Sequence, residues 1–248
     1  IGLSSLRSVP TTMPPAVGPS VTSTPQPWPA ADFPPKTPYG TWQPAASAPP
    51  GDGRPVLAIP QCSSNFEPSS MVGADQLSPV MVDAFHTAVT AVARPATVSE
   101  ARAEVSGEGQ PYGYAAYRVA VDVTDSAGTG SVVIRRGRFE GTPLEVADGQ
   151  VFLHGNCEPA NRVVNPDGTV LQYYSVMPSE PFQSLTQSLR IYRPNGLVDE
   201  IAVHNFGSPD VRRNDDGSRD RFGKGRPTLP LTVEQLKTIG LAVAHAEG

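Results

Sequence analysis

The fold is decided by residues 185–206, LTQSLRIYRPNGLVDEIAVHNF, in which two strand-like runs flank one turn. The turn is Arg193-Pro194-Asn195-Gly196. Proline presets φ at the second turn position, and glycine accepts the positive φ that follows. The runs 185–192 and 197–206 are therefore predicted to pair as an antiparallel hairpin.

Two further hairpins are predicted upstream. The turn Asn165-Pro166-Asp167-Gly168 repeats the same chemistry between the runs 161–164 and 170–176. In residues 117–124, Tyr and Val alternate with more polar residues, the period-two pattern of a half-buried strand, and 131–139 returns as its partner. Three successive hairpins predict an antiparallel meander of about six strands rather than a parallel βαβ sheet.

Two amphipathic helices bracket these strands. Apolar residues repeat at three- and four-residue spacing in 77–94, with Ser78 as N-cap and Pro79 at the first helical position. A second helix is predicted for 233–246, where Thr232 and Gln235 fit a capping box. The predicted fold class is α+β, with an N-terminal and a C-terminal helix packed on one face of the sheet.

The first part of the chain has a different composition. Of the 28 prolines, 15 lie in residues 1–60. Proline fixes φ and removes an amide donor, so regular helix and sheet are disfavoured there. Residues 1–55 are predicted to be a tether, largely disordered or polyproline II, and 56–248 the α+β domain.

Charge and motifs limit the classes of function. The formal net charge of −5 disfavours a nucleic-acid partner, which needs a basic surface. Residues 212–226 are locally basic but are interpreted as a solvated loop. The sequence contains no acceptable match to a nucleophile elbow, a dinucleotide fingerprint, a phosphate loop or an EF-hand. No catalytic residue, metal site or cofactor is therefore predicted.

Cys62 and Cys157 are the two cysteines, and both lie in polar surroundings. A disulfide between them is favoured over two free thiols. It would close a loop of roughly 95 residues and contribute about 4–5 kcal/mol on the chain-entropy model. A nucleophilic Cys157 is less favoured, because the adjacent Glu158 opposes the low pKa that such a thiol needs.

Candidate ligand-binding residues are inferred from their proximity in sequence. His154, Asn156 and Glu158 surround Cys157, and the basic pair Arg212 and Arg213 could complete a cleft. The neighbouring acids Asp199 and Glu200 are predicted to point to opposite faces of their strand, which excludes a paired-carboxylate dyad.

The C-terminal half resembles an uncharacterised domain of envelope proteins in high-GC Gram-positive bacteria. The resemblance is carried by the 165–168 turn after Cys157, by residues 189–196, and by Pro-Leu-Thr-x-x-Gln-Leu at 230–236. It implies an extracytoplasmic, cell-surface or membrane-anchored location behind a span upstream of Ile1, in proteins that look like sensor or anti-sigma components. It implies no catalytic residues.

The expected function is a non-enzymatic sensory or binding ectodomain that recognises an envelope ligand or protein partner. Contact with the membrane is expected only through an upstream segment. Two alternatives stay open: an extracytoplasmic enzyme or metal-binding protein with a site near His154 and Cys157, and a structural module for surface display.

Overall fold

The computed structural model describes residues 27–42, 58–63, 70–106, 116–179, 184–214 and 219–246. Its centre is an antiparallel sheet of ten strands, accompanied by three α-helices among these residues. The predicted α+β class and antiparallel sheet are therefore confirmed. No helix in the described part of the chain is long and apolar enough to cross a membrane.

The elements follow one another in chain order. The strands are β1 (Gly40–Trp42), β2 (Ile59–Gln61), β3 (Ser70–Asp75), β4 (Thr97–Val98), β5 (Arg102–Ser106), β6 (Ala116–Asp125), β7 (Gly128–Phe139), β8 (Asn161–Val164), β9 (Val170–Tyr173), β10 (Met177–Ser179), β11 (Ser184–Tyr192), β12 (Leu197–His204), β13 (Val211–Arg213) and β14 (Arg219–Arg221). The helices are α1 (Pro79–Val92), α2 (Pro143–Gly149) and α3 (Val233–His245).

The sheet is not the predicted six-strand meander. Its main path runs β4-β6-β7-β12-β11-β9-β8, with β5 beside β6, β3 beside β7 and β10 beside β11. The β11–β12 hairpin thus inserts between β7 and the β8–β9 hairpin. The prediction was wrong on this point because local turn chemistry pairs neighbouring strands, whereas long-range packing decides which hairpins lie side by side.

The local predictions within the sheet are confirmed. All three predicted hairpins form, as β6–β7, β8–β9 and β11–β12. Gly168 and Gly196 have φ of +88° and +78°, the left-handed conformation that their turns require. The ends of two helices also match: Ser78 caps α1, and Thr232 forms a capping box with Gln235 at the start of α3.

One face of the sheet is apolar and packs against α1 and α3. Phe85 and Val89 of α1 and Leu236 and Ile239 of α3 join the alternate strand residues of this face in the main core. The contributing strand residues are Val119, Val121, Val123, Val132, Ile134, Leu171, Leu189, Ile191, Ile201 and Val203. Burial of this apolar face is the main source of stability for the domain.

The opposite face is polar and only partly covered. The unpredicted helix α2 lies over its β9 end, where Gln172 donates a hydrogen bond to the Ala147 carbonyl. Thr142 and Glu145 form a capping box at the start of α2, with Pro143 at its first position. The capping-box pattern is present in the sequence. The helix is only seven residues long, however, which is too short to show a helical repeat of apolar residues.

Residues 27–42 lie against the domain, which differs from their predicted place in a tether. Ala31 is buried and donates a backbone hydrogen bond to Ala160. The Trp28 ring packs 6.0 Å from that of Tyr173, and the buried ammonium of Lys237 lies over both rings. Aromatic burial outweighs the conformational preference of the prolines here. The rest of the predicted tether lies outside the described residues.

A disulfide joins Cys62 and Cys157, as the sequence predicted, with their Cα atoms 5.1 Å apart. Short backbone links flank it, because Lys36 donates to the Cys157 carbonyl and Cys62 donates to the Gly155 carbonyl. Strand β2, which ends beside Cys62, pairs with β1. The disulfide therefore holds this N-terminal layer on the loop that follows α2.

On the helical face, the fully buried Asp199 carboxylate is shared by two arginines. Arg136 donates two hydrogen bonds to it, at 2.6 and 3.0 Å, and Arg193 donates one at 3.0 Å. Arg193 also donates to the carbonyls of Val243 and Ala244. A single carboxylate thus links β7 and β12 to the C-terminal end of α3, where a cation is favourable.

Replacement of Asp199 by Asn should strongly destabilise the fold, because Arg136 and Arg193 would lose their shared counter-charge inside the core. We expect a loss of about 3–5 kcal/mol in the free energy of unfolding, measured by urea titration. The matched control is Asp75→Asn, whose partner Arg138 has a side chain 70% exposed, and there the loss should be about 0–1 kcal/mol. Equal losses for the two variants would contradict this role.

Candidate functional site

A row of polar and charged side chains crosses the polar face from edge to edge. Its members are cross-strand partners on neighbouring strands. Arg118 and Arg135 are partners when the β6–β7 register is continued by one residue. The row consists of Glu104 on β5, Arg118 on β6, Arg135 on β7, Glu200 on β12, Arg190 on β11, Gln172 on β9 and Arg162 on β8. We call it the charged row.

Glu200 is the centre of the charged row. Its side chain is 1% exposed and pairs with Arg135 on one side and with Arg190, at 2.7 Å, on the other. Burial alone would raise the pKa of this carboxyl, but the charges of Arg190 and Arg135 outweigh burial and lower the pKa to about 2. Glu200 is therefore an ionised carboxylate inside the protein.

Next to Glu200, under α2, lies a closed cluster of hydrogen bonds. Arg190 and the Tyr192 hydroxyl both donate to the side-chain oxygen of Gln150. The hydroxyls of Tyr192 and Tyr174 lie 3.2 Å apart. Burial raises the pKa of both tyrosines, so their hydroxyls stay protonated and can donate. This end of the charged row is filled by the protein itself and has a structural role.

Two further rows run parallel to the charged row. The middle row has small side chains: Ala120, Val133, Ala202 and Ser188. The outer row is polar: Asp122, Ser131, His204 and Thr186. The middle row is bordered by the long side chains of the charged row on one side and by Asp122 and His204 on the other, which makes a groove across the strands. We call it the cross-strand groove, with the middle row as its floor.

Two cavities lie along the cross-strand groove. One, of about 230 Å³, is bounded by Arg102, Glu104 and Arg118 and by the segment that carries Phe206 and Ser208. The other, of about 310 Å³, is bounded by His154, Gln61 and β10. His204 lines the first cavity and Thr186 the second, and the His204 Nδ1 lies 3.0 Å from the Thr186 hydroxyl.

Asp122 organises the wall of the first cavity. It accepts hydrogen bonds from both the amide and the hydroxyl of Ser208, and from Arg102 at 3.1 Å. Ser131 donates to the Phe206 carbonyl. The 206–208 segment is thereby fastened to the edge of the groove, and Arg102 is held with its side chain 35% exposed.

His204 supplies a neutral imidazole to the groove. Burial, reinforced by the charge of Arg135 and opposed by that of Glu200, lowers its pKa to about 4. Its ring lies against that of Phe206, and the Arg221 guanidinium lies 3.8 Å from the centroid of the Phe206 ring. At neutral pH the imidazole can both donate and accept hydrogen bonds.

His154, a candidate from the sequence, does lie on this face. Its backbone has φ of +64°, the one positive value among the described non-glycine residues, and its Nε2 lies 3.2 Å from the Ser188 hydroxyl. Burial lowers its pKa, and the charge of Glu200 opposes this effect. The neutral ring could accept a proton from Ser188, but that serine is only 2% exposed.

The other sequence candidates are not brought together with His154. Asn156 is buried, and its amide donates to the Leu153 carbonyl, so it stabilises the loop. Glu158 is exposed. Arg212 is exposed on β13 with its guanidinium over the Phe222 ring. Arg213 lies in the same strand, and its side chain is outside the described part of the structure.

Apart from His154, the residues that line the groove were not predicted from the sequence, although part of the signal was present. The alternation in 117–124 already places Arg118, Ala120 and Asp122 on one face. Their partners on β7, β11 and β12 depend on strand order, which local patterns do not encode. Among the described residues, no group of three or more His, Cys, Asp or Glu side chains could hold a metal ion.

Replacement of Glu200 by Gln should remove a defined part of the acid dependence of stability. Because the pKa of Glu200 is lower in the folded chain than its ordinary 4.5, its contribution is present above pH 4.5 and is lost as the pH falls towards 2. We expect the variant to lose about 3–5 kcal/mol at pH 7 and to show a smaller further loss at pH 3 than the original protein.

Urea unfolding at pH 7 and pH 3 measures both effects. The exposed carboxyl of Glu140 provides the control, and Glu140→Gln should reproduce the pH dependence of the original protein. Identical acid dependence in Glu200→Gln and the original protein would show that Glu200 is not the ionised centre of this face.

Comparison with known proteins gives no assignment: no protein-family model, no curated protein and no solved structure matches the chain. The cross-strand groove is therefore the feature from which function is inferred.

Proposed function

We propose that this chain is a non-enzymatic ligand-binding domain that takes a small polar molecule into the cross-strand groove. The observation that carries the proposal is the groove itself: a buried floor of small side chains between a charged row and a row containing neutral His204. Concave sites with a few convergent polar groups are the usual form of small-molecule sites.

The supports of the groove suit binding more than catalysis. Glu200 is enclosed by Arg135 and Arg190, and Asp122 by Ser208 and Arg102, so neither carboxylate is placed to transfer a proton. Cys157 is bound in the disulfide, which excludes a thiol nucleophile at that position. What remains accessible is a preorganised set of hydrogen-bond donors and acceptors, which lowers the entropic cost of binding.

We further propose that the domain works outside the cytoplasm, as an ectodomain that reports the ligand or presents it to a partner. The Cys62–Cys157 disulfide is compatible with an oxidising compartment. It also supports the groove directly, because Gln61 precedes Cys62 and lines the same cavity as His154. Extracytoplasmic location and a sensory role both agree with the resemblance to envelope proteins.

Filling the groove tests the proposal. Backbone amide shifts in NMR spectra would be followed while amino acids, sugars, dicarboxylates and sugar phosphates are added. Ligands should shift amides of the floor residues Ala120, Val133 and Ala202, and Ala120→Phe should abolish these shifts by occupying the first cavity. Val80→Phe, on the exposed side of α1, is the control and should bind normally. Shifts confined to other surfaces would refute the proposed function.

A further inference from the structure

At the pair of strands β6 and β7, the charged row departs from its alternation of charge. Along the row, Glu104 faces Arg118, and Glu200 lies between Arg135 and Arg190. Between Arg118 and Arg135, however, no carboxylate intervenes. The paired register of β6 and β7 ends at Val119 and Ile134, and one further step places these arginines opposite each other. Like charges directly opposite one another on a sheet are destabilising.

Both arginines are oriented by a carboxylate and still accessible. The Arg118 Nε donates to Glu104 at 2.6 Å, and its side chain is 32% exposed. The Arg135 Nη2 donates to Glu200, and its side chain is 36% exposed. Within the described residues, the side-chain hydrogen bond of Arg118 runs through its Nε and that of Arg135 through its Nη2, which leaves the Nη groups of Arg118 and the Nε and Nη1 of Arg135 as donors for a ligand. These donors are the planar forks that match carboxylate and phosphate oxygens.

The charge balance of the groove also favours a negatively charged ligand. On the five neighbouring strands β5, β6, β7, β12 and β11 of this face, Arg102, Arg118, Arg135 and Arg190 stand against Glu104, Asp122 and Glu200, an excess of one positive charge in a chain whose net charge is −5. A local positive excess on an acidic protein directs anions to that place rather than to the surface in general. Cavity walls of low polarizability strengthen the attraction further.

We propose that the ligand of the cross-strand groove carries an anionic group, a carboxylate or a phosphate, that binds between Arg118 and Arg135. Arg102, which lines the first cavity together with Arg118, is placed to contact the remainder of the ligand. This inference rests on the proposed function of the groove and specifies its ligand class. The anion replaces the missing carboxylate of the charged row and relieves the repulsion between the two guanidinium groups.

The experiment measures the affinity of the full chain for inorganic phosphate and for succinate by calorimetry, at constant ionic strength set with sodium chloride. Saturable binding of at least one probe is expected, and the comparison of the two decides between phosphate and carboxylate. Arg118→Gln should weaken that binding about tenfold or more, the effect of losing a charge-assisted hydrogen bond. Choline, a cation of similar size, should not bind.

Two further variants provide a second test of the site and a control. Arg135→Lys retains the charge that Glu200 needs for folding but loses the planar fork, so it should also weaken binding. Arg138→Gln removes an exposed arginine from the opposite face of β7 and should leave the affinity unchanged. Equal affinities for Arg118→Gln, Arg135→Lys and the original protein would overturn the anion assignment, and so would an equal loss in Arg138→Gln.

Failure of the anion assignment is distinguishable from failure of the groove. If neutral sugars shift the floor amides in an Ala120-dependent manner while phosphate and succinate do not bind, the groove is a binding site and the ligand class is wrong. If phosphate binds to Ala120→Phe and to Arg118→Gln with the affinity of the original protein, the anion lies elsewhere and neither proposal stands for it.

Discussion

Two consecutive buried carboxylates organise the two faces of the sheet. Asp199 and Glu200 point in opposite directions from β12, and both side chains are at most 1% exposed. Each is held by two arginines, so neither is an uncompensated charge. Removing one partner of such a buried ion pair lowers the free energy of unfolding by far more than the intact pair contributes. The two carboxylates therefore hold four arginines in place. Asp199 fixes the end of α3, and Glu200 fixes the charged row that borders the groove.

Much of the local fold could be predicted from the sequence, because its signals are local. Pro-Asx-Gly turns specify the β8–β9 and β11–β12 hairpins, and capping residues specify the starts of α1 and α3. Strand order could not be predicted, since the pairing of β7 with β12 joins residues 59 to 73 positions apart. The docking of residues 27–42 onto the domain could not be predicted either, because it depends on contacts of Trp28 with Tyr173 and Lys237, which are distant in sequence.

Only part of the candidate site could be predicted from the sequence. The opposite orientation of Asp199 and Glu200 follows from strand periodicity and is confirmed. Their burial does not follow, because each depends on arginines supplied by other strands. His154 was selected for its nearness to Cys157 in sequence, whereas its contact with Ser188 and its position beside the groove come from the loop that the disulfide holds. The local excess of basic residues in 212–226 brought in Arg212, which lies on a separate two-stranded sheet.

The ionisation of Glu200 is the physical claim on which the groove depends, because a neutral acid there would leave Arg135 and Arg190 without a counter-charge. Its most direct test is a titration of the Glu200 side-chain carboxyl carbon by NMR, assigned with the Glu200→Gln variant. The account predicts a pKa of about 2, well below the ordinary value of 4.5. A pKa at or above 4.5 would mean that burial outweighs the two arginines, and it would contradict the proposed organisation of this face.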